Sequence, residues 1–205
     1  MKNKTQQLKI AYFNQLGRKE LDQTAQQFSQ KYPEVEVKLI AASHDDAFSM
    51  LNKDQADLAI NDLRDDNNAF KQVEITQAGV MAILPKGAYP NGLQMIEKDK
   101  LADLTCFIVA KPEEEVAELH LFKDLYQINS PFIAANSVEE AALLVAAGSG
   151  YFIMNENTAN LISNDSLQRF FLLNHGQLLR QKIIAFSKSA QSLSSDFIKF
   201  LQAEY

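Results

Sequence analysis

The sequence predicts an α/β protein of two lobes joined by two crossover strands, and three observations predict it. Short apolar runs alternate with stretches of helical spacing over the first 60 residues, and the alternation resumes after residue 100. A long strand-like segment at 70–85 connects the two blocks, and one strand and one helix return at the end of the chain. No Gly- or Ser-rich linker separates the blocks, so we expect shared crossover strands instead of independent domains.

The first block has the order strand, helix, strand, helix, strand. In the first helix, Leu21 and Phe28 belong to the apolar stripe, and we expect Thr24 on the outer face. The second helix opens at Ser43, where Asp46 three residues later completes a capping signature. This order implies parallel strands linked by right-handed crossovers. The strands are predicted at 8–13, 35–42 and 58–60, and the helices at 19–32 and from Ser43 onward.

The second block repeats the alternation. Ser137, with Glu140 three residues later, marks another helix start, and the glycines after residue 147 end that helix. Helices are predicted at 99–104, from the acidic run 113–115 to about residue 126, from Ser137 onward and at 192–205. Strands are predicted at 106–110, 132–135, 151–154, 170–173 and 182–186.

Composition and charge exclude several functional classes. The net charge is −6, so the chain lacks the basic surface that phosphate binding requires, and we expect no specific DNA binding by these residues alone. A single cysteine excludes an intramolecular disulfide and a multi-cysteine zinc site. No apolar run is long enough to span a membrane, and no signal-peptide core follows Met1. We therefore expect a cytoplasmic protein without a membrane partner.

The sequence contains no catalytic or cofactor signature. It has no GxSxG, Walker, GxGxxG or HExxH motif, so we expect no enzyme activity, no catalytic residue, no cofactor and no metal site. Cys106 lies inside an apolar strand, where we expect a buried, inert thiol. Asp57, Asp62, Asp65 and Asp66 suggest a cation site, but their spacing does not match an EF-hand loop, which favours a solvated turn.

The loops after the predicted strands hold the candidate binding residues. Ligands of open parallel α/β sheets bind beyond the carboxyl ends of the strands, where helix N-termini present free N–H groups. Arg18, Arg64 and Lys111 beside these ends predict a small anionic ligand. His44 either contacts such a ligand or is a solvated first-turn residue. These loops are rich in Asn, Gln, Ser and basic residues and lie at 14–18, 43–46, 61–64, 111–113 and 136–137.

Five segments, in their order and spacing, resemble the effector-binding domain of LysR-type transcriptional regulators. They are LKIAYF, FSQKYPEVEVKLI, MLNKDQADLAI, MAILPKG and VEEAALLVAAGSGYFIMNE, and the resemblance spans residues 8–188. It implies a fold similar to class II periplasmic binding proteins, with two Rossmann-like lobes, 8–82 plus 184–205 and 83–183, and a ligand cleft between the lobes. It also implies a small-molecule effector. By position, the resemblance implies effector contacts at Asn14, Gln15, Ser43, Asp62, Lys111, Asn136 and Ser137. Arg18 and Arg64, which lie beside the strand ends, complete the set of candidate effector-binding residues.

The resemblance also implies partners. A winged helix-turn-helix would precede this chain in the full protein and would alone contact DNA, since residues 1–205 hold no basic recognition helix. This domain would form a homodimer or a higher oligomer in which lobe I of one copy lies against lobe II of the other. Two predicted helices fit such an interface. The helix from Ser137 is almost entirely apolar after its first turn, and the outer face at 19–32 has little charge, with Gln23, Thr24, Gln27 and Gln30.

Two alternatives remain open from the sequence. One is a stand-alone solute-binding protein that feeds a transporter, which requires a signal peptide upstream of Met1. The other is an enzyme on the same bilobal scaffold, such as a small-acid dehydratase or a phosphoribosyl transferase. It requires a convergent acid–base pair, for which Asp62 and His44 are the candidates.

Overall fold

The structure, a computed structural model, describes residues 6–64, 69–189 and 191–205 and confirms the predicted α/β class. The strands are β1 (Gln6–Phe13), β2 (Val35–Ala42), β3 (Leu58–Asp62), β4 (Lys71–Pro85), β5 (Met95–Glu97), β6 (Cys106–Val109), β7 (Phe132–Ala135), β8 (Tyr151–Asn155), β9 (Leu167–Asn174), β10 (Gln177–Leu178) and β11 (Arg180–Ser187). The helices are α1 (Lys19–Lys31), α2 (His44–Asn52), α3 (Glu115–Leu119), α4 (Val138–Ala146), α5 (Glu156–Ala159) and α6 (Ser192–Glu204). Single 3-10 turns occupy Asn14–Leu16 and Lys98–Leu101, and α3 continues as a π-helical turn at His120–Leu125.

The chain divides into two compact units. The first contains the residues up to Gln77 together with Lys182–Tyr205, and the second contains Ala78–Gln181. The chain passes from one unit to the other within β4 and within β11, which are the two predicted crossover strands. The lobe limits implied by the family resemblance stay a prediction.

The first unit is built on a sheet with the order β2-β1-β3-β11-β4. β1 is parallel to β2 and to β3, whereas β11 is antiparallel to β3. The chain winds outward from β1 to β2 and then returns past β1 to β3, so the winding direction reverses at β1. Such reversal points are where open α/β sheets bind ligands at the carboxyl ends of their strands.

Helix α1 packs against α6 and corrects one prediction. The ring of Phe28 lies 5.4 Å from that of Phe197 and 5.7 Å from that of Phe200. Thr24, expected on the outer face, is fully buried. Residues 21, 24 and 28 follow the i, i+3, i+7 spacing of one helical stripe, so the stripe that packs inward includes the threonine although it is polar.

The second unit repeats the pattern with the order β4-β8-β6-β7. β6 is parallel to β7 and to β8, β8 is antiparallel to β4, and β9 pairs with β4, β5 and β10. The winding direction therefore reverses at β6. Tyr151 is fully buried in the core, where its hydroxyl forms a 2.7 Å hydrogen bond with Ser130 Oγ.

Short elements account for most differences from the prediction. The helix expected at 99–104 is a single 3-10 turn at Lys98–Leu101, followed by an i→i+3 bond in which Leu104 N donates to Leu101 O at 2.9 Å. β5, β10 and α5 were not predicted. They are two to four residues long, and β5 and β10 form only because they pair with β9.

Candidate functional site

In the first unit, three candidate residues lie in one row at the carboxyl edge of the parallel strands. Phe13 pairs with Ala42, and Tyr12 pairs with Ile60. Asn14 and Ser43 directly follow these paired strand ends, and Asp62 is the last residue of β3, so the three residues form a row at this edge. Because neighbouring strands are about 4.8 Å apart, the ends of the three strands span roughly 10 Å. The row lies at the point where the winding direction reverses.

The amino end of α2 supplies the central part of this edge. Ser43 is the N-cap, and its Oγ accepts a hydrogen bond from Asp46 N at 3.1 Å, as the capping signature predicted. Asn61 Nδ2 donates to the His44 carbonyl oxygen at 2.9 Å and so ties the start of the helix to β3. The first backbone N–H groups of a helix have no intrahelical acceptor, and they carry the positive end of the helix dipole.

Asp62 and Arg64 form a buried ion pair directly after β3. Arg64 Nε donates to Asp62 Oδ1 at 3.0 Å, and the two side chains are only 2 % and 1 % exposed. The guanidinium carbon lies 5.1 Å from the centre of the Phe13 ring, which is a cation–π distance. The two charges neutralise each other, so Arg64 holds Asp62 and the end of β3 in place.

His44, for which the sequence left two interpretations open, lies beside Asp62 and Arg64. Its Nε2 lies 3.3 Å from Asp62 Oδ1, and its Nδ1 lies 3.0 Å from Asp45 Oδ1. The side chain is 13 % exposed, so it is not a solvated first-turn residue. Burial, and next the charge of Arg64, lower the pKa of His44 below its ordinary value although both carboxylates oppose this shift.

The turn after β1 holds three further candidates. Asn14 is exposed, Gln15 is half-buried, and both belong to the 3-10 turn Asn14–Leu16. Arg18 is 61 % exposed, and its Nε donates to Asp22 Oδ1 at 3.0 Å, one helical turn ahead. The guanidinium of Arg18 therefore stabilises the first turn of α1.

In the second unit, the remaining candidates share a corresponding edge. Val109 pairs with Ala135, and the register continued past β6 places exposed Lys111 beside Ser137. Ser137 caps α4, since its Oγ accepts from Glu140 N at 3.1 Å. Asn136, one residue earlier, is exposed. Its Nδ2 donates to Glu140 Oε2 at 3.0 Å, and its backbone N donates to the same oxygen at 2.8 Å.

Sequence reasoning missed Asn155 at the same edge. Asn155 is 5 % exposed, ends β8 and caps α5, with its Oδ1 accepting from Thr158 N at 3.0 Å. The next residue, Glu156, accepts a 2.6 Å hydrogen bond from Gly79 N. An asparagine directly after an apolar strand is a capping signal of the kind found at Ser43 and Ser137, and it could have identified this position. Phe13 carried no such signal, because its role depends on contact with Arg64.

Two further expectations of the sequence concern the single cysteine, expected to be inert, and a suggested cation site. Cys106 is buried in β6 as predicted, and burial raises the pKa of its thiol to about 12. No cluster of three or more His, Cys, Asp or Glu side chains that could hold a metal ion occurs in residues 6–64, 69–189 and 191–205. Asp65 and Asp66 lie outside these described residues. Within the same ranges, no helix is both long enough and apolar enough to cross a membrane.

The chain is similar to known regulatory domains over its whole length. The family model of the LysR substrate binding domain matches residues 2–204. The BenM effector-binding domain with its effector benzoate superposes with a TM-score of 0.75 at 17% identity, covering 97% of this chain and 91% of that one. Full-length BenM gives a TM-score of 0.80 at 17% identity, over 97% of this chain and 67% of that one.

A third solved structure is the OxyR2 regulatory domain from Vibrio vulnificus. It gives a TM-score of 0.77 at 16% identity, over 100% of this chain and 98% of that one. No curated protein sequence matches the chain.

Proposed function

Because this chain belongs to the LysR substrate-binding domain family and is the effector-sensing domain of a LysR-type regulator, we propose that its effector is a small anion. The contacts that we propose are the polar positions at the carboxyl edges of the two parallel sheets. In the first unit these are Asn14, Gln15, Ser43 and Arg18, and the buried pair of Asp62 and Arg64 is proposed to belong to the site by positioning them. In the second unit they are Lys111, Asn136 and Ser137.

The row of Asn14, Ser43 and Asp62 is the observation that carries this proposal. It combines an exposed amide, a helix N-cap and the point of winding reversal at one sheet edge. The buried Asp62–Arg64 pair fixes the end of the row, since both charges are already compensated. We infer that Arg64 acts on the effector through Asp62 and Phe13 and that the exposed residues make the direct contacts.

Two features support an anion. The backbone N–H groups at the start of α2 favour negative charge, and Lys111 is an exposed cation at the corresponding edge of the second unit. The similar BenM domain has benzoate, a carboxylate, as its effector. We propose the same chemical class here, without proposing benzoate itself.

A thermal-shift screen of small carboxylates, each paired with its neutral amide, tests the ligand class. A ligand that binds only the folded state raises the melting temperature, by an amount that grows with ligand concentration. We expect a carboxylate to stabilise the chain, its amide to do so less, and added salt to weaken the effect. A screen in which only neutral or cationic compounds stabilise the chain would contradict an anionic effector.

Membership of this family supports proposals about enzymatic activity, DNA binding and cellular location. LysR substrate-binding domains are regulatory domains and not enzymes, and we propose that this chain likewise catalyses no reaction. We further propose that DNA is contacted by a winged helix-turn-helix outside these 205 residues, and that the regulator acts in the cytoplasm, where the DNA is. A gel-shift titration of this chain alone at low salt, in which we expect no tight complex, tests the DNA assignment.

Full-length LysR-type regulators are oligomeric, and we propose that this domain dimerises through α1 of one copy and α4 of its partner. Gln23, Gln27 and Gln30 are exposed on α1 and form a face of low charge. On α4, Ala141 and Val145 are fully buried against the sheet of their own unit, whereas Leu143 is 69 % exposed. An exposed leucine on an otherwise apolar helix fits the centre of an interface.

A further inference from the structure

The imidazole of His44 lies between two carboxylates, and one of these is shared with an arginine. Nδ1 is 3.0 Å from Asp45 Oδ1, and Nε2 is 3.3 Å from Asp62 Oδ1. Asp62 Oδ1 is also the oxygen that accepts the 3.0 Å hydrogen bond from Arg64 Nε. A single carboxylate oxygen therefore faces two nitrogens that belong to different parts of the chain, the start of α2 and the segment after β3.

A neutral imidazole cannot satisfy both of its neighbours. It carries one N–H and one lone pair, whereas both carboxylates are acceptors. With the proton on Nδ1, the ring donates to Asp45, and the lone pair of Nε2 faces the Asp62 oxygen. Nε2 is inaccessible to solvent, and no hydrogen bond satisfies it within the described residues. Only the doubly protonated ring donates to both carboxylates.

The surroundings keep the ring neutral at pH 7. Burial and Arg64 lower the pKa of His44, and Asp62 and Asp45 oppose them without reversing the direction. Within the described residues, two further contacts of the ring are aromatic. The ring of Phe13, at the end of β1, lies 6.0 Å away, and that of Phe48, on α2, lies 5.2 Å away. The ring therefore takes up a proton only on acidification, and the added proton allows Nε2–H to donate a new hydrogen bond to Asp62.

We propose that His44 is a proton-operated switch that determines how Asp62 is shared between Arg64 and the start of α2. When the ring is neutral, Asp62 Oδ1 accepts from Arg64 Nε, and α2 is tied to β3 through the Asn61 amide. When the ring is protonated, Nε2–H also donates to Asp62 Oδ1, and this second donor weakens the hydrogen bond from Arg64 Nε to the same oxygen. Protonation also adds a positive charge next to Ser43. The switch needs no effector, so it stands independently of the proposed effector class.

Nuclear magnetic resonance of the ligand-free chain between pH 7.5 and 5 tests this switch. A His44→Gln variant assigns the imidazole signal by its disappearance. We expect the His44 ring to titrate below the ordinary midpoint of about 6.5. The Arg64 Nε–H signal should shift with that same midpoint in the wild-type chain and should lose this shift in His44→Gln. As a matched control, His120→Gln removes another carboxylate-paired histidine, 2.9 Å from Asp124 in the second unit, and should leave the Arg64 titration unchanged.

Two variants separate the contributions of Asp62 and Arg64 to the His44 midpoint. Asp62→Asn removes a charge that favours the protonated ring and should lower the His44 midpoint, whereas Arg64→Gln removes a charge that opposes it and should raise the midpoint. If either buried substitution prevents folding, the wild-type titration still decides. A His44 midpoint at or above about 6.5, an Arg64 signal that does not move with His44, or unfolding before His44 titrates would each overturn the proposal.

Discussion

At the scale of single residues, the cluster of Phe13, His44, Asp62 and Arg64 organises the proposed effector edge. The sequence shows each of these residues, but it does not show that they meet. Their contacts depend on the β1–β3 register and on Arg64 turning back over the Phe13 ring. Arg64 was therefore expected to be a direct anchor for an anion, whereas in the structure its guanidinium is paired with Asp62.

Removing one partner of the buried pair should be costly. In Asp62→Ala, Arg64 stays buried without the Asp62 carboxylate that it contacts at 3.0 Å, and we expect a loss of about 3–5 kcal/mol in the free energy of unfolding. Asp62→Ala combined with Arg64→Met should restore part of this loss. The exposed pair of Arg18 and Asp22 is the matched control, and Asp22→Ala should change stability very little. Urea unfolding followed by circular dichroism measures all three, and equal losses in the two single variants would contradict the buried pair.

The pH dependence of stability should report His44. The folded-state pKa of His44 is lowered, so the folded chain binds this proton less tightly than the unfolded chain does. The contribution of the neutral ring is therefore complete above about pH 6.5 and is lost as the pH falls below that value through the folded pKa. Urea midpoints at pH 7.5 and 5.5 should fall more for wild type than for His44→Gln. An identical pH dependence in the two proteins would show that His44 does not titrate differently on folding.

At the scale of elements, the sequence predicted the strands and helix caps that depend on residues close together in the chain. The strands at 35–42 and 132–135 and the helix caps Ser43 and Ser137 are confirmed, because alternation and capping depend on residues a few positions apart. Thr24 was misplaced because its burial depends on tertiary packing of the inner stripe of α1, which the polarity of the residue does not indicate. β5 and β10 escaped prediction because pairing with β9 determines them.

The two serine caps should contribute about equally to stability. Ser137→Ala leaves Glu140 N without its acceptor, and Ser43→Ala does the same to Asp46 N. We expect each to cost about 1 kcal/mol of unfolding free energy, and Ser137→Asp to cost much less, since aspartate is also a good N-cap. Thermal denaturation of the three variants checks this. A Ser137→Asp variant as unstable as Ser137→Ala would argue against capping as the cause.

At the scale of the whole molecule, the two units place their candidate residues by the same rule. Each has a parallel sheet whose winding reverses at a central strand, β1 or β6, and each collects polar side chains at the carboxyl ends. The sequence predicted this because alternating strands and helices imply parallel order. The exposed surface of α4 is the other large-scale feature, and it leads to a prediction about assembly.

A charge on the outer face of α4 should dissociate the dimer. Leu143 is 69 % exposed, so Leu143→Glu should leave the fold intact while placing a desolvated charge in the interface. In an isologous dimer, the substitution acts twice. Val116→Glu, at an 81 % exposed position on α3, is the matched control and should stay dimeric. Sedimentation velocity over a concentration series decides. A wild-type chain that stays monomeric well above micromolar concentration would contradict dimerisation through this domain.

Calorimetric titration of wild type and Asn14→Ala, with the carboxylate that stabilises the chain most, tests the central claim most directly. Asn14 is exposed, so its loss should leave the melting temperature nearly unchanged. Removing one effector hydrogen bond of about 0.5–1.5 kcal/mol should raise Kd about 2- to 12-fold. The account predicts this weaker binding with unchanged stability, whereas equal affinity for the two proteins would contradict an effector site at the carboxyl edge of β1.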